Sequence, residues 1–365
     1  MAEKTLMSLI LAMLLIGCGH SGANFNEEAW RRGIDSTDLK KLYAPHFRDG
    51  RFFNPWNPMD EKGIGDLLKW RFSRKKQYTP EEERFLPRIH GNALKRIRAM
   101  GSRDFILWIG HDTHLIRLEG RYWIVDPIFS ERALLPKRKT PPGMSLEDLR
   151  SLSPDLRIII THNHYDHLDA DSVEKLPRTA RVYVPLGLGD TVRKMNKPHT
   201  VEMDWWQTLD AGGGQKLVCL PAQHWSRRVT QGVNRSLWAS YLLISGKRKI
   251  YIGGDSGYFA GYREIGRRFP GIDYALLPIT AYHPRWFMHY AHMDVRESLD
   301  AFGELKARFF IPTQWGTFPL GDEPVGYGAL DLMMTVHKRG LDPSRFLIMG
   351  IGEVLPLGSV GRAGK

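Results

Sequence analysis

The sequence has very few cysteines, with only Cys18 and Cys219 among 365 residues. Two cysteines can form at most one disulfide, so a disulfide-rich scaffold is excluded. Cys219 lies in the apolar run Lys216-Leu217-Val218-Cys219-Leu220. That setting is typical of a small buried side chain rather than of a reactive thiol. Stability must therefore come mainly from a hydrophobic core.

Long hydrophobic runs are equally scarce. The apolar run at residues 6–16 is shorter than the roughly 20 residues that a membrane-spanning helix needs, and no other apolar segment approaches that length. The chain also lacks internal repeats and low-complexity linkers. With 42% hydrophobic and 25% charged residues, the composition indicates a globular protein of one large domain or two ordinary ones.

Acidic residues are outnumbered, with 40 Asp and Glu against 52 Lys and Arg and a net charge of +12. Such a surface attracts anions, and nucleic acid, anionic lipid head groups and phosphorylated small molecules all fit it. Simple solubility explains the same charge. The composition alone therefore does not choose among these partners.

The N-terminus resembles a bacterial lipoprotein signal. Glu3 and Lys4 precede the apolar run, which ends in Leu15-Ile16-Gly17-Cys18 and has the length of a secretory hydrophobic region. The resemblance implies a signal peptide over residues 1–17 and lipidation of Cys18, which would leave no disulfide. It also implies a lipoprotein anchored in the bacterial cell envelope, and Gly19 is compatible with the outer membrane, facing the periplasm. An ordinary signal peptide or a buried N-terminal helix is the alternative.

The rest of the chain divides at residue 100. We predict that residues 18–100 form an N-terminal extension that packs on the core and that residues 101–365 form the main domain. The predicted strands are residues 105–109, 122–125, 157–160, 181–184, 217–220, 240–244, 249–252, 274–277 and 309–311. The predicted helices are residues 145–152, 294–307 and 328–339, with a further helix start at Thr79-Pro80-Glu81-Glu82. Strands interleaved with helices predict a layered α/β fold.

Polar residues that can bind metal follow several of these strands. They are His162, His164, Asp166 and His167 after the strand at 157–160, then His224, Asp255 and Gln314 after three later strands. Ligands gather at such strand ends in α/β sheets. Imidazole and carboxylate suit Zn²⁺ best, with manganese or iron as alternatives. A solvated histidine-rich loop is the competing interpretation, but the recurrence at later strand ends favours a metal site.

The order His-x-His-x-Asp-His, a distant His and then Gly-Asp resembles the metallo-β-lactamase superfamily. The wider sequence resembles one branch, the phospholipases D that hydrolyse N-acyl-phosphatidylethanolamine. The matching stretches span residues 50–320 and include Phe52-Phe53-Asn54-Pro55-Trp56, Val125-Asp126-Pro127-Ile128-Phe129-Ser130, Gln223-His224-Trp225, Pro284-Arg285-Trp286-Phe287-Met288 and Trp315-Gly316-Thr317-Phe318.

This resemblance implies a four-layer αβ/βα sandwich with two metal ions. The residues that would hold them are His162, His164 and His224 for the first ion, Asp166 and His167 for the second, and Asp255 as the bridge. Two such ions activate a water as hydroxide for a displacement at phosphorus. Asp166 would also orient that hydroxide. His292 would lie near the substrate phosphate, at a helix N-terminus that favours anions; the alternative is a surface histidine.

Two positions depart from the family. Gln314 stands where the family has its last histidine ligand, immediately before Trp-Gly-Thr-Phe. A neutral amide oxygen is a poorer zinc ligand than imidazole, so we expect partial occupancy of the second ion. Asp112 stands where the family usually has alanine, and we expect its side chain to be exposed. We expect Asp126, at the end of the strand at 122–125, to support the metal ligands.

The leading hypothesis is a phosphodiesterase of phospholipase D type, acting on N-acyl-phosphatidylethanolamine or a related membrane phospholipid. A metallo-hydrolase of soluble esters, amides or lactones is one alternative, and a non-catalytic lipoprotein that binds metal or lipid is another. Nucleic acid is not an expected partner, because no additional clamping domain fits in this length. The side chains that suit an acyl entrance are Trp70, Phe72, Trp205, Trp206, Trp286, Phe287 and Met288.

Overall fold

The computed structural model describes residues 25–59, 62–152 and 155–358. The signal peptide predicted for residues 1–17 and the lipidation predicted at Cys18 lie outside this part of the chain. Among the helices of the described residues, none combines the length and the apolar character needed to cross a membrane.

The strands and helices are short and evenly distributed. The strands are β1 (Phe47–Arg48), β2 (Arg51–Phe52), β3 (Phe105–Gly110), β4 (Thr113–Leu118), β5 (Arg121–Val125), β6 (Leu156–Ile159), β7 (Arg181–Pro185), β8 (Thr200–Met203), β9 (Thr208–Gly212), β10 (Gln215–Leu220), β11 (Arg227–Arg228), β12 (Gly232–Val233), β13 (Ser240–Ser245), β14 (Arg248–Ile252), β15 (Tyr274–Pro278), β16 (Phe309–Thr313) and β17 (Val354–Pro356). The α-helices are α1 (Glu27–Asp35), α2 (Ile64–Phe72), α3 (Pro80–Arg84), α4 (Ala93–Ala99), α5 (Leu146–Leu152), α6 (Ala170–Lys175), α7 (Gly189–Lys194), α8 (Gly261–Arg268), α9 (Arg285–Met288), α10 (Val295–Leu305) and α11 (Tyr327–Lys338).

Two mixed sheets organise these elements. The first has seven strands in the order β17-β3-β4-β5-β6-β7-β8, and the second has six in the order β16-β15-β14-β13-β10-β9. Strands β5 to β8 run parallel, as do β14 to β16. The carboxyl ends of these parallel strands bring their loops to one edge of each sheet.

The central strands of both sheets are buried on both faces. Along β3, Ile106 and Trp108 belong to a hydrophobic cluster that also contains Leu243 of the second sheet. Leu107 belongs to a second cluster, together with Leu149 of α5. Because successive side chains of a strand point to opposite faces, this division places helices outside the first sheet and the second sheet inside it. Helices α8 and α10 pack together on the far side, which confirms the predicted αβ/βα layers.

Side chains from the N-terminal segment lie within the main core. Ile34, Leu42, Phe52 and Trp56 are all buried in the cluster that joins the two sheets. The segment before residue 100 thus packs on the rest of the chain. A division into two units at that residue stays a prediction.

Capping residues fix the start of α10. The Asp294 side chain accepts a hydrogen bond from the Glu297 backbone N–H, and the Glu297 side chain accepts one from the Asp294 backbone N–H. This reciprocal pair is the capping box that the sequence indicates. It holds the beginning of α10, and therefore the preceding His292, in a defined position.

Truncating a buried strand residue provides a test of the core. We expect Ile158→Ala, on β6 where the side chain is fully buried, to lower the free energy of unfolding by roughly 2–5 kcal/mol, because the lost apolar contacts leave a cavity. Urea unfolding followed by tryptophan fluorescence measures the change. Met334→Ala on the exposed face of α11 is the control, and an equal loss in both variants would contradict the packing described.

Candidate metal centre

Histidine and carboxylate side chains from both sheets meet at one edge. His162 and His164 follow β6 of the first sheet, whereas His224 follows β10 and Asp255 follows β14 of the second. One potential ligand atom from each of the four lies within 4.8 Å of the other three. All but His164 are buried. We call this group the first cluster.

The first cluster cannot satisfy its own hydrogen bonds. His164 Nδ1 lies 2.9 Å from His162 Nε2 and 3.1 Å from His224 Nε2. A single ring nitrogen carries either one proton or one lone pair, so it cannot pair properly with both. A cation, by contrast, can accept a lone pair from all three imidazoles. Burial lowers the pKa of His164 to about 4 and that of the other two well below the usual value, which keeps these lone pairs available.

A second cluster adjoins the first and consists of His111, Asp166 and His167. Asp166 Oδ2 lies 3.1 Å from His111 Nε2 and 3.4 Å from His167 Nε2. Asp255 connects the clusters, because its Oδ1 lies 3.1 Å from His167 Nε2 while its Oδ2 lies 3.4 Å from His224 Nε2. Asp255 therefore lies between the two clusters, with one carboxylate oxygen near each.

The electrostatics of the second cluster favour a cation. Burial opposes a charge on His167, but the carboxylates of Asp255 and Asp166 outweigh it and raise the pKa of His167 well above its usual value. Burial alone would raise the pKa of these two carboxyl groups, yet the adjacent imidazoles hold both well below the usual range. Buried carboxylates that stay ionised need a positive partner, and a metal ion fits that requirement.

His111 is the residue that the sequence analysis missed. It stands at the turn between β3 and β4 in the left-handed backbone region, with φ of 51°. Its backbone N–H donates to Thr317 Oγ1 at 2.8 Å, and its Nδ1 lies 3.2 Å from the Gln314 carbonyl oxygen. These contacts aim Nε2 at Asp166. Its position directly after a strand was the available signal.

Gln314 lies beside the shared carboxylate rather than within either cluster of histidines and acids. It is buried, its φ is 71°, and its side-chain amide donates a hydrogen bond to Asp255 Oδ1. Gln314 thus contacts the carboxylate that both clusters share, and its role as a weak metal ligand stays a prediction. His111 supplies the second cluster with an imidazole that Gln314 lacks.

Two further acids, Asp126 and Asp112, lie close to His167, and the burial of Asp112 differs from the sequence prediction. Asp126 Oδ2 lies 2.7 Å from His167 Nδ1, and Asp126 also accepts hydrogen bonds from the N–H and the hydroxyl of Thr161. The expectation that Asp112 is exposed is wrong. Asp112 is buried, with Oδ2 3.7 Å from His167 Nδ1, because the turn between β3 and β4 points into the protein. Burial raises its pKa to about 6.

His292 borders both clusters. It lies two residues before the N-cap of α10, and its Nδ1 is 3.9 Å from Asp255 Oδ2. This nitrogen is buried and has no hydrogen-bond partner, although the His292 side chain keeps some exposure. Burial lowers its pKa, despite the opposing effect of Asp255. The ring is therefore a neutral group with a nitrogen directed toward the centre.

The N-terminal segment holds the backbone on which His224 sits. Asn54 Nδ2 donates to the His224 carbonyl oxygen at 3.1 Å, and Trp238 Nε1 donates to Asn54 Oδ1 at 3.1 Å. Trp56 Nε1 donates to Gln223 Oε1 at 3.1 Å. The Phe-Asn-Pro-Trp stretch thus helps to position the candidate ligand His224 through hydrogen bonds to His224 and to the neighbouring Gln223.

The aromatic residues considered for an acyl entrance divide into two groups. Trp70 stacks on Phe287 with ring centroids 4.8 Å apart, and Trp286 packs edge-on against the same Phe287. Trp205 is buried, where it stacks on His46 and donates to the Trp238 carbonyl oxygen. Trp206 stacks on Tyr43. These contacts assign the Trp205–Trp206 pair to packing against the N-terminal segment.

Comparison with known proteins identifies the family. A family profile described as "Beta-lactamase superfamily domain" matches residues 121–315, which contain both clusters apart from His111. The chain belongs to the metallo-β-lactamase superfamily. It is a metal-dependent hydrolase of that superfamily. The family and the fold predicted from the sequence are confirmed.

Relatives with named activities match much of the chain. N-acyl-phosphatidylethanolamine-hydrolyzing phospholipase D 1 of Caenorhabditis elegans is 33% identical over 270 residues, covering 68% of this chain and 75% of that protein. The mitochondrial enzyme of the same name from Saccharomyces cerevisiae is 32% identical over 228 residues, covering 59% of this chain and 48% of that protein. Igni18, a metallo hydrolase of Ignicoccus hospitalis, shares the fold with a TM-score of 0.56 and 22% identity, covering 70% of this chain and 99% of that chain.

The contact between Asp126 and His167 leads to a prediction about metal affinity. We expect Asp126→Asn to weaken metal binding at the second cluster roughly 10- to 100-fold, because an outer carboxylate fixes the orientation and basicity of a ligating imidazole. Competition with a chromophoric chelator measures the affinity. Asp169→Asn is the matched control, since Asp169 bonds the nearby Ser130 hydroxyl but no cluster residue; equal affinities in the two variants would contradict the role of Asp126.

Proposed function

We propose that this chain is a zinc-dependent phosphodiesterase that hydrolyses the head-group ester of N-acyl-phosphatidylethanolamine or a related membrane phospholipid. The observation that carries the proposal is the sharing of Asp255 between two clusters, with the unpartnered Nδ1 of His292 beside it. Such a paired centre suits displacement at phosphorus. The similarity to phospholipases of this activity supports the choice of substrate.

The proposed metal ligands follow from the distances. His162, His164, His224 and Asp255 would hold one ion, and His111, Asp166, His167 and Asp255 the other, with Gln314 beside the bridge. Imidazole-rich sets of this kind suit zinc, while the carboxylates of Asp166 and Asp255 and the adjacent Gln314 amide also admit manganese or iron. When bound, the ions supply Lewis acidity that lowers the pKa of a water and polarises a phosphoryl oxygen.

Two residues of the chain have roles at the reacting atoms. The Asp166 side chain is the more exposed of the two carboxylates at the centre, so Asp166 can accept a hydrogen bond from the attacking water and hold it in line with phosphorus. His292, neutral and partly exposed, can donate a hydrogen bond to a phosphate oxygen. His292 Nδ1 lies 3.9 Å from Asp255 Oδ2, and the Asp166 carboxylate is near enough to His292 to oppose the effect of burial on its pKa, so one phosphodiester can contact both Asp166 and His292.

The proposed location follows from the N-terminus. A signal peptide over residues 1–17 and a lipid on Cys18 would anchor the chain in the bacterial envelope, at the outer membrane facing the periplasm. A membrane-bound substrate would then lie within reach of the centre. Metabolic labelling with a palmitate analogue, lost in Cys18→Ser, tests the anchor separately from the activity.

The experiment that tests the function is a liposome assay across metals and head groups. We expect zinc-loaded protein to release phosphatidic acid and an N-acylethanolamine from N-acyl-phosphatidylethanolamine, and a chelator to abolish the release. Phosphatidylcholine, unmodified phosphatidylethanolamine and soluble esters or lactones form the comparison set. Hydrolysis of carbonyl substrates without any phosphatidic acid, under every metal tried, would replace this proposal with that of a soluble-ester hydrolase.

The replacement of the family histidine by Gln314 leads to a prediction about stoichiometry. We expect the second ion to be partly occupied in the native chain, to be lost in His111→Ala, and to bind roughly 10- to 100-fold more tightly in Gln314→His, because imidazole is the better zinc ligand. Metal analysis and Co²⁺ absorption spectra report occupancy directly. His90→Ala, outside both clusters, is the control. Two tightly held zincs that Gln314→Ala leaves unchanged would refute the prediction.

A further inference from the structure

Helix α2 exposes an apolar stripe. None of its nine residues is buried, and four large apolar side chains are exposed at positions i, i+3, i+4 and i+8. These are Ile64, Leu67, Leu68 and Phe72, the last of which is 82% exposed. This spacing places the four on one side of a helix. A continuous apolar stripe on a surface helix marks an interaction site more often than isolated exposed residues do.

The opposite side of α2 is fastened to the protein. Trp70 Nε1 donates to Asp322 Oδ1 at 2.9 Å, and the Trp70 ring stacks on Phe287 of α9. Lys75, just after the helix, forms an ion pair of 2.7 Å with the same Asp322. Helix α2 is therefore held in place with its apolar stripe directed away from the protein.

Two other exposed apolar tips belong to loops that begin at the edge with the metal clusters, after β5 and β10. Leu135, in the segment after β5, is 76% exposed, and Val229, in the β11–β12 hairpin after β10, is 85% exposed. His224 leaves the same end of β10 as Val229. Helix α2 joins this edge through Asp322 and Phe287, which follow β16 and β15.

Basic residues surround these apolar side chains. Residues 62–76 contain six Lys or Arg and one acid, residues 131–139 contain four and one, and residues 225–235 contain three and none. Lys62 lies 4.1 Å from the Phe287 ring centre and is close enough to His292 to lower its pKa. Apolar side chains bordered by Lys and Arg fit the interface of an anionic bilayer.

We propose that α2, together with the tips at Leu135 and Val229, forms a docking surface for a bilayer that contains anionic phospholipid. The apolar side chains enter the acyl region, the basic ones contact head groups, and the metal-centre edge faces the membrane. A phospholipid then reaches His292 without leaving the bilayer. The last step rests on the proposed function, whereas the docking itself does not.

A depth measurement tests the docking. The full chain carries Cys18→Ser, so that the buried Cys219 is the only native cysteine left, and a nitroxide is attached to Leu67→Cys or to Met334→Cys. The two native side chains are 51% and 52% exposed, and both lie on helices. Vesicles of phosphatidylcholine with phosphatidylglycerol, free of any N-acylated lipid, are added. Collision rates with oxygen and with a nickel chelate report depth.

We expect the label at 67 to lose nickel accessibility several-fold on anionic vesicles, and the label at 334 to keep it. The effect should weaken with pure phosphatidylcholine and at about 1 M salt, where the Debye length is ~3 Å. Equal accessibility at both positions would overturn the proposal. So would protection at 67 that rises with protein concentration without vesicles, since a second copy of the chain would then cover the stripe.

Hydrolysis assays on vesicles and on micelles distinguish the membrane-docking proposal from the proposed phospholipase function. We expect Ile64→Glu/Leu67→Glu, on the exposed stripe, to hydrolyse vesicle substrate several-fold more slowly than the native chain, with an unchanged rate on substrate in detergent micelles. Met333→Glu/Met334→Glu on α11 is the matched control and should match the native chain on both. A protein without phospholipase activity can still show immersion at residue 67, and an active one can fail to show it.

Discussion

Asp255→Asn should abolish metal-dependent hydrolysis, lowering the rate on the order of 10³-fold or more, because the ions contribute several kcal/mol of transition-state stabilisation. Asp255 is the residue that faces both clusters, with one carboxylate oxygen toward each. An asparagine keeps the size of the side chain but removes the charge that two cations would share. Metal content and activity should therefore fall together.

The measurement pairs metal analysis with the liposome assay. Asp104→Asn is the control, because Asp104 is a half-buried carboxylate paired with Arg248 just before β3, away from the clusters. Circular dichroism establishes that both variants fold. An Asp255→Asn protein that retains native metal content and turnover would refute the assignment of Asp255 as the bridging ligand.

His292→Gln should lower kcat by roughly 10²- to 10⁴-fold, the usual contribution of a positioned acid or base. The reason is the placement of His292 Nδ1, which is unpartnered and lies 3.9 Å from Asp255 Oδ2. Glutamine preserves a polar side chain of similar length without a ring that can give up and regain a proton. Because His292 is absent from both metal clusters, the metal content should stay at the native level.

The neighbouring His289 offers a matched control. It lies three residues earlier, half-buried, and stacks on Phe25 rather than facing the clusters. His289→Gln should keep native kcat. Loss of metal in His292→Gln would make His292 a ligand instead, and an unchanged kcat in that variant would remove it from the reaction.

Local patterns predicted most of the fold, because buried strands carry short apolar runs. All nine predicted strands are present, and Asp294 with Glu297 marks the start of α10 as expected. Strand β4 escaped prediction because Thr113, His114 and Arg117 interrupt its apolar residues. Strands β8 and β9 are partly exposed elements at sheet edges, where selection for apolar side chains is weak.

The residues of the candidate site were likewise predicted only in part. His162, His164, His224 and Asp255 were predicted to converge because each follows a strand, and strand ends of a sheet share an edge. His111 and Asp112 lie in a Gly-His-Asp-Thr turn that has the local pattern of an exposed hairpin. Only the approach of the Gln314–Thr317 segment buries this turn. That long-range contact leaves no periodic signature in the sequence.

The hydrogen bonds of Asn54 and Trp56 have a practical consequence for handling this protein. A nick or deletion ahead of residue 60 would spare every candidate ligand and still remove the hydrogen bonds from Asn54 to the His224 backbone and from Trp56 to the Gln223 side chain. Such a shortened chain would keep all the candidate ligands but hold the backbone of His224 less firmly. Loss of metal from a trimmed preparation would therefore point to the missing N-terminal segment rather than to a damaged centre.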